Sequence, residues 1–288
     1  MENTVQSRYV SVSVFVVVTL LLWISPAIAF DNDPAFSRLC TPVANAPTEA
    51  PCGTNPTGDQ PKFAGLTREY ALALSPGLMA PAETMGINGF QFDLQFSVTT
   101  INNDRSYWID GIQDETPPGS LVVSRVGVRK GLPGSLEIGM TGSYLIESEL
   151  WMFTVLGKWA LHEGMTTVPL DLAVRGTYNT LVGSTEVDLK TVGLDVIVSK
   201  SFGVAGVVNV SPYVAYSPLW IYAQSNVIDS TPGSIDGSDG DFVFADEDQM
   251  VHRTTLGVRF IMGLFNLTPE AALASSQQTY SVNLGADF

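Results

Sequence analysis

Residues 90–98 read Phe90-Gln91-Phe92-Asp93-Leu94-Gln95-Phe96-Ser97-Val98, and this alternation decides the fold. In an extended chain, successive side chains point to opposite faces. Phe90, Phe92, Leu94, Phe96 and Val98 therefore share one face, and Gln91, Asp93, Gln95 and Ser97 share the other. A helix would scatter both sets around its circumference. A strand standing between hydrocarbon on one side and a polar interior on the other has this pattern.

The period of two recurs to the end of the chain. Val122, Val126 and Val128 oppose Arg125, Gly127 and Arg129, and Leu136, Ile138 and Met140 oppose Glu137, Gly139 and Thr141. Trp151, Phe153 and Trp159 oppose Thr154 and Lys158, and Leu170, Leu172 and Val174 oppose Asp171, Ala173 and Arg175. Val192, Leu194, Val196 and Val198 form a further apolar face, while Val187 and Leu189 lie on the opposite parity and predict a bulge or a late strand start. Segments near 208–216, 256–262, 265–275 and 280–288 complete the series. The expected class is all-β, an antiparallel transmembrane barrel of about ten strands, with twelve as the alternative.

Sidedness follows from loop length, since long loops face the exterior and short turns the periplasm. The connections 99–119 and 224–248 are long, whereas Lys130-Gly131-Leu132-Pro133-Gly134, 201–205 and Gly263-Leu264 carry the Gly or Pro that tight turns need. A soluble sandwich or lipocalin-like barrel shares the period but would turn its apolar face inward. Aromatic residues at the ends of the apolar faces, and the lack of helices to cover the sheet, favour the membrane.

The first 29 residues read differently. Arg8, the apolar run Val10 to Trp23 and the small-residue site Ser25-Pro26-Ala27-Ile28-Ala29 form a secretory signal, with cleavage expected after Ala29. The run is short for an uncleaved anchor, which needs about 20 residues. Residues 30–86 follow as an expected periplasmic segment ahead of the barrel at 87–288. Their early part is rich in Pro, Thr, Asn and Gly and holds Cys40 and Cys52, which an oxidising compartment would allow to bridge. Phe63, Leu66, Tyr70 and Leu74 recur at helical spacing, so a short helix over 62–75 is expected, in the periplasm or as a plug in the bore. A strand through Leu66, Tyr70, Leu72 and Leu74 is the other reading.

The chain of 288 residues is 45% hydrophobic and 15% charged, which excludes wholesale disorder. A net charge of −15 argues against a nucleic-acid partner. The ending Tyr280-Ser281-Val282-Asn283-Leu284-Gly285-Ala286-Asp287-Phe288 resembles the C-terminal strand of bacterial outer-membrane β-barrel proteins. There the terminal Phe, with apolar Tyr280, Val282 and Leu284 at alternate positions, is what the barrel-assembly machinery recognises. The resemblance implies an outer-membrane location, lipid and that machinery as partners, and no particular substrate.

On this parity the inward set holds Arg125, Arg129, Lys158, Arg175, Arg253 and Arg259 against Asp93, Glu137, Asp171, Asp195, Glu270 and Asp287, so the bore is nearly neutral. Paired charges that fill a narrow barrel are one reading, and a small pore with selecting charges is the other. The acidic stretch Asp229, Asp236, Asp239, Asp241, Asp246, Glu247 and Asp248 reads as a solvated loop, because its spacing fails the calcium-loop pattern. His252 lies near the outer rim with its parity toward lipid, and His162 falls in a turn, so neither makes a case for a hydrolase. No cofactor or metal is expected. The leading functional expectation is passive transport of small or apolar solutes, followed by a structural or surface-interaction barrel with a filled bore and, third, a rim hydrolase.

Overall fold

The computed structural model describes residues 32–41, 57–112, 116–162, 170–204, 207–229, 241–275 and 277–288. Ten long strands form one closed antiparallel ring: β1 (Phe90–Thr100), β2 (Ser120–Leu132), β3 (Leu136–Leu145), β4 (Trp151–His162), β5 (Asp171–Val182), β6 (Val187–Ser199), β7 (Val208–Ser225), β8 (Glu247–Met262), β9 (Phe265–Ala274) and β10 (Gln278–Asp287). Each pairs with its sequence neighbour, and β10 returns to β1 with Gln91 opposite Asp287 and Thr99 opposite Thr279. Closure leaves no unpaired edge, which is the condition for placing a sheet in hydrocarbon.

The apolar face of the alternation is the outer one. Phe92, Ile138, Phe153, Leu256 and Leu284 all stand about half exposed on the barrel wall, which the soluble reading cannot accommodate. Aromatic rings collect at the two heights where a bilayer ends, with Tyr144, Trp151, Tyr222 and Tyr280 toward one end and Trp159, Phe202, Phe265 and Phe288 toward the other. We call the first the loop end, since 101–112, 116–119, 226–229 and 241–246 lie there, and the second the turn end, where Phe288 lies. The architecture is that of an outer-membrane β-barrel. No helix among the described residues is long and apolar enough to cross a membrane.

Two helices pack at the loop end: α1 (Gln60–Leu74) and the single turn α2 (Ser106–Asp110). Asp59 caps α1 by accepting from the Lys62 amide at 3.3 Å, with Pro61 in the first turn. The helix stops at Ser75, which is extended (ψ 131°), as the residue before Pro76 must be. Thus 60–74 is helix, and the strand reading of those residues does not hold. Gly65 lies inside it where a methyl group would strike the Tyr107 ring, so the two helices approach at the one residue without a side chain.

The helix is buried inside the ring. Phe63, Leu66, Tyr70, Ala71 and Leu74 pack with Leu121, Val123, Leu145, Met152, Val187, Leu189, Leu219 and Ile221, inward residues of the loop-end half of the wall. This corrects the expectation of a bulge at the start of β6. Its register with β7 keeps one offset from Val187 opposite Ser225 to Ser199 opposite Tyr213, and Val187 and Leu189 point inward because the helix offers them an apolar surface.

The N-terminal segment, expected in the periplasm, packs at the loop end in its described part. The Asn32 amide donates to Glu147 at 2.9 Å, Ala35 to Gly111 at 2.9 Å, and the Gln60 side chain to Ala245 at 2.9 Å, all at the loop end. The chain enters the bore there as α1, and residues 75–89 then run down through the turn-end half to reach β1. Fourteen or fifteen extended residues reach roughly 50 Å, enough to cross a barrel of this height. Residues 1–29, with the expected signal, and Cys52 lie outside the described residues.

Candidate functional site

The alternation that makes the outside apolar delivers long polar side chains to the inside. Arg125, Arg129, Lys158, Arg175, Arg253, Arg259, Glu137, Asp171, Asp195 and Glu270 are all buried, and Asp93 and Asp287 are largely so. At the turn end Arg129 bonds Asp93 at 3.0 Å and approaches Glu137 at 3.6 Å, and Lys158 meets Glu137 at 3.1 Å. Arg175 pairs with Asp195 at 2.6 Å and Arg259 with Asp287 at 2.9 Å.

Pairing is only part of what these charges do, because the wall also grips the thread. Arg125 donates to the Ala73 carbonyl at 2.6 Å and to those of Leu74 and Ser75 at 3.4 Å, which are the unfilled acceptors at the end of α1. Cations also suit a helix C-terminus. Arg253 reaches the Pro76 carbonyl at 3.3 Å, Arg175 those of Gly77 and Leu78 at 3.1 Å, and Lys158 that of Glu83 at 2.8 Å. From the other side Glu270 accepts from the amides of Leu78 (3.0 Å) and Met79 (2.7 Å), and from the Tyr213 hydroxyl at 2.7 Å. The Tyr213 ring reaches Glu270 by crossing Gly257, where a Cβ would collide with it.

Sequence reasoning missed the thread's residues Ser75–Glu83 as ligands of the wall, since Gly, Pro and Ala carry no side-chain signal and contribute only backbone. It also missed the apolar inner surface of the loop-end half. That signal was present: Leu121-Val122-Val123, Trp151-Met152-Phe153 and Leu219-Trp220-Ile221 are apolar on both faces, as strands covered on both sides are.

The loop-end mouth is closed by side chains. Glu69, in the middle of α1, is fully buried yet satisfied, accepting from Tyr107 at 2.7 Å, Trp108 at 2.6 Å and Gln277 at 3.3 Å. Burial, and then the bond to Glu69, push the Tyr107 phenol up to about 12. Lys62 bridges Asp59 at 3.2 Å and Asp110 at 3.0 Å, joining the two helices. Burial works against its charge, but the two carboxylates outweigh it and hold the ammonium above its usual range. Asp33 accepts from the Ser148 hydroxyl and from the Glu149 amide, fixing the N-terminal segment to the β3–β4 loop.

Of the acidic stretch, Asp229, Asp241, Asp246, Glu247 and Asp248 are described, and Asp236 and Asp239 lie outside the described residues. No grouping of His, Cys, Asp or Glu fit for a metal occurs among the described residues. His252 faces outward and its Nδ1 shares a 2.7 Å hydrogen bond with the Tyr216 hydroxyl, while His162 ends β4 at the turn end. Cys40 is buried at the loop end. On β10, Tyr280, Val282, Leu284 and Phe288 all face outward, and Phe288 exchanges both backbone hydrogen bonds with Phe90 at 2.8 and 2.9 Å.

No family model matches the chain, and no curated protein matches it. Among solved structures it is similar to the attachment invasion locus protein Ail of Yersinia pestis, with 8% identity over 70% of this chain and 99% of that one, at a TM-score of 0.29. The KdgM porin in complex with disordered oligogalacturonate matches at 8% identity over 69% of this chain and 99% of that one, TM-score 0.34. The N-terminal β-barrel domain of Pseudomonas aeruginosa OprF matches at 12% identity over 70% and 99%, TM-score 0.28. Likenesses of this order assign no activity.

Proposed function

We propose that this chain is a plugged outer-membrane barrel that works through its loop-end surface, without catalytic chemistry and without a standing open pore. The observation that carries the reading is the double filling of the bore. An apolar helix occupies one half and a polar-gripped thread the other, so the wall's charges are spent on holding chain rather than on lining water. Planar-bilayer recording of the full-length protein tests it, with no conductance steps expected from correctly folded protein. Steady channels from the full-length chain would overturn it.

Passive transport of small solutes is the second reading, and one observation favours it. The thread is held by hydrogen bonds to long, flexible Arg and Lys side chains, an arrangement that a conformational change could release. Deleting residues 30–75 should then produce conductance with little preference between cations and anions, since the six basic and six acidic inward residues nearly cancel. Two smaller proposals accompany both readings, the Cys40–Cys52 bridge and assembly through the terminal strand. Thiol labelling with and without reductant, and membrane yield after removal of Phe288, are the respective measurements.

A further inference from the structure

We propose that the pocket between α1 and the 101–105 segment at the loop end binds a phosphoryl oxyanion. It rests on the surface-acting reading above and names a ligand class for that surface. The pocket encloses about 300 Å³ and is lined by Arg68, Glu69, Asn102, Arg105, Tyr107 and Ser275.

Free cations are scarce in this protein. The chain has 14 Lys and Arg for 29 acidic residues. Six of the fourteen lie in the bore, Lys62 is held between two aspartates, and Arg38 donates to the Ile112 carbonyl at 3.1 Å. Arg68 and Arg105 have no side-chain partner among the described residues, although carboxylates abound at this end. Both residues line the same pocket beside Tyr107. For Arg105, which is exposed, lack of a partner is ordinary. For Arg68 it is not, because its Nε is shielded from solvent with its hydrogen bond unmade.

The one carboxylate lining the pocket does not fill that role. Both Glu69 oxygens are committed to other donors, Oε1 to Tyr107 and Oε2 to Trp108 and Gln277. The Tyr107 hydroxyl is itself spent on Glu69 as donor. Arg68, Arg105, Asn102 and Ser275 also line the cavity, and each carries a side chain able to donate. Planar forks match the paired oxygens of a phosphoryl group better than a point cation does. Against one buried carboxylate, two guanidiniums leave the pocket net positive within a protein of net charge −15. Recognition here therefore relies on close bidentate contact rather than long-range attraction. A phosphoryl group can come from a lipid headgroup or from a dissolved phosphate ester, and the chemistry of the pocket is the same for both.

Full-length protein in detergent is titrated with inorganic phosphate while Trp108, whose indole bonds Glu69 at the pocket floor, reports by fluorescence. A saturable change is expected, competed by sulfate, weakened about tenfold in Arg105→Gln and lost in Arg68→Gln/Arg105→Gln, with Lys190→Gln on the outer wall unchanged. Arg105 is exposed, so its replacement leaves folding intact, and heat-modifiable gel migration confirms this for each variant. Bicelles with and without phosphatidic acid separate the sources. A Trp108 response to phosphatidic acid alone identifies a headgroup, and a response to free phosphate alone identifies a solute. Absence of a saturable response to either probe, or an equal response in the double variant, overturns the proposal. Bilayer conductance in the same preparation tests the surface-acting reading separately.

Discussion

The two halves of the bore use the same strands and opposite chemistry. In the loop-end half, the inward positions of β2, β4, β6 and β7 are Leu121, Val123, Met152, Val187, Leu189, Leu219 and Ile221, and they enclose a helix as a soluble core would. Two to six residues further along the same strands, the inward positions become Arg125, Lys158, Asp195 and Ser217, and they enclose a thread by its backbone. The difference follows from what each half must contain. A helix satisfies its own backbone and shows apolar side chains, so it needs an apolar wall. An extended thread has unpaired carbonyls and amides, so it needs polar donors and acceptors. The switch in the wall falls where α1 ends, and Arg125 stands at that boundary.

The largest expected effect lies in the apolar half. Phe63 is fully buried, stacks on Phe244 at 4.4 Å and meets Phe36 edge-on at 5.6 Å. Phe63→Ala should cost about 3–5 kcal/mol of the local stability that keeps the helix in place. Limited trypsin digestion, cutting at Lys62 and Arg68, should become much faster while strand content is unchanged. Equal digestion rates would mean that the helix is held by the thread and the wall's charges rather than by its apolar packing.

A smaller effect tests the boundary. Arg125→Gln removes the donor to the carbonyls of Ala73, Leu74 and Ser75 and the 2.5 Å contact with Ser97. It should lower the urea midpoint for plug release by the equivalent of about 1–3 kcal/mol, the cost of leaving buried acceptors unmade. Arg125→Lys should recover only part, because one ammonium cannot fork across three carbonyls. If Arg125→Gln is neutral, the thread carries its own stability and the division into halves loses its boundary.

The barrel was legible because alternation is a property of every strand, repeated ten times over, and closure needs nothing beyond pairing of neighbours. Arg125, Arg129, Lys158 and the other nine charges could be set inward by parity alone. What they hold could not, since a carbonyl of Ala73 or Gly77 leaves no trace in residue type. The docking of residues 32–41 and 57–61 at the loop end left no mark in the sequence for a related reason. Their Pro, Thr and Gly content describes a segment without a core of its own, and its anchors at the loop end, the Asn32 backbone on Glu147 and the side chains of Asp33 and Gln60, fall on polar residues that composition does not single out. Val187 and Leu189 were visible as a parity conflict, and the conflict was the mark of a filled bore rather than of a bulge.

The smallest effect concerns charge at the loop end, where carboxylates outnumber cations. Glu186, in the β5–β6 connection, is partly buried. That burial raises its carboxyl above the usual range, and the Phe36 amide that it accepts from opposes the shift only in part. A carboxyl raised in the folded state binds its proton more tightly there than in the unfolded chain. Its contribution to stability is therefore full below the unfolded value and is lost as pH rises through the folded one. Neutral pH is the unfavourable side for this group, and Glu186→Gln, which keeps an oxygen for the Phe36 amide, should be slightly stabilising there. Below the carboxylate range the variant and wild type should coincide. Melting the N-terminal segment, followed by Trp108 fluorescence across this pH range, would show the two curves separating as pH rises. Curves that separate in the opposite sense would mean that the charged form of Glu186 is what fastens Phe36 to the rim.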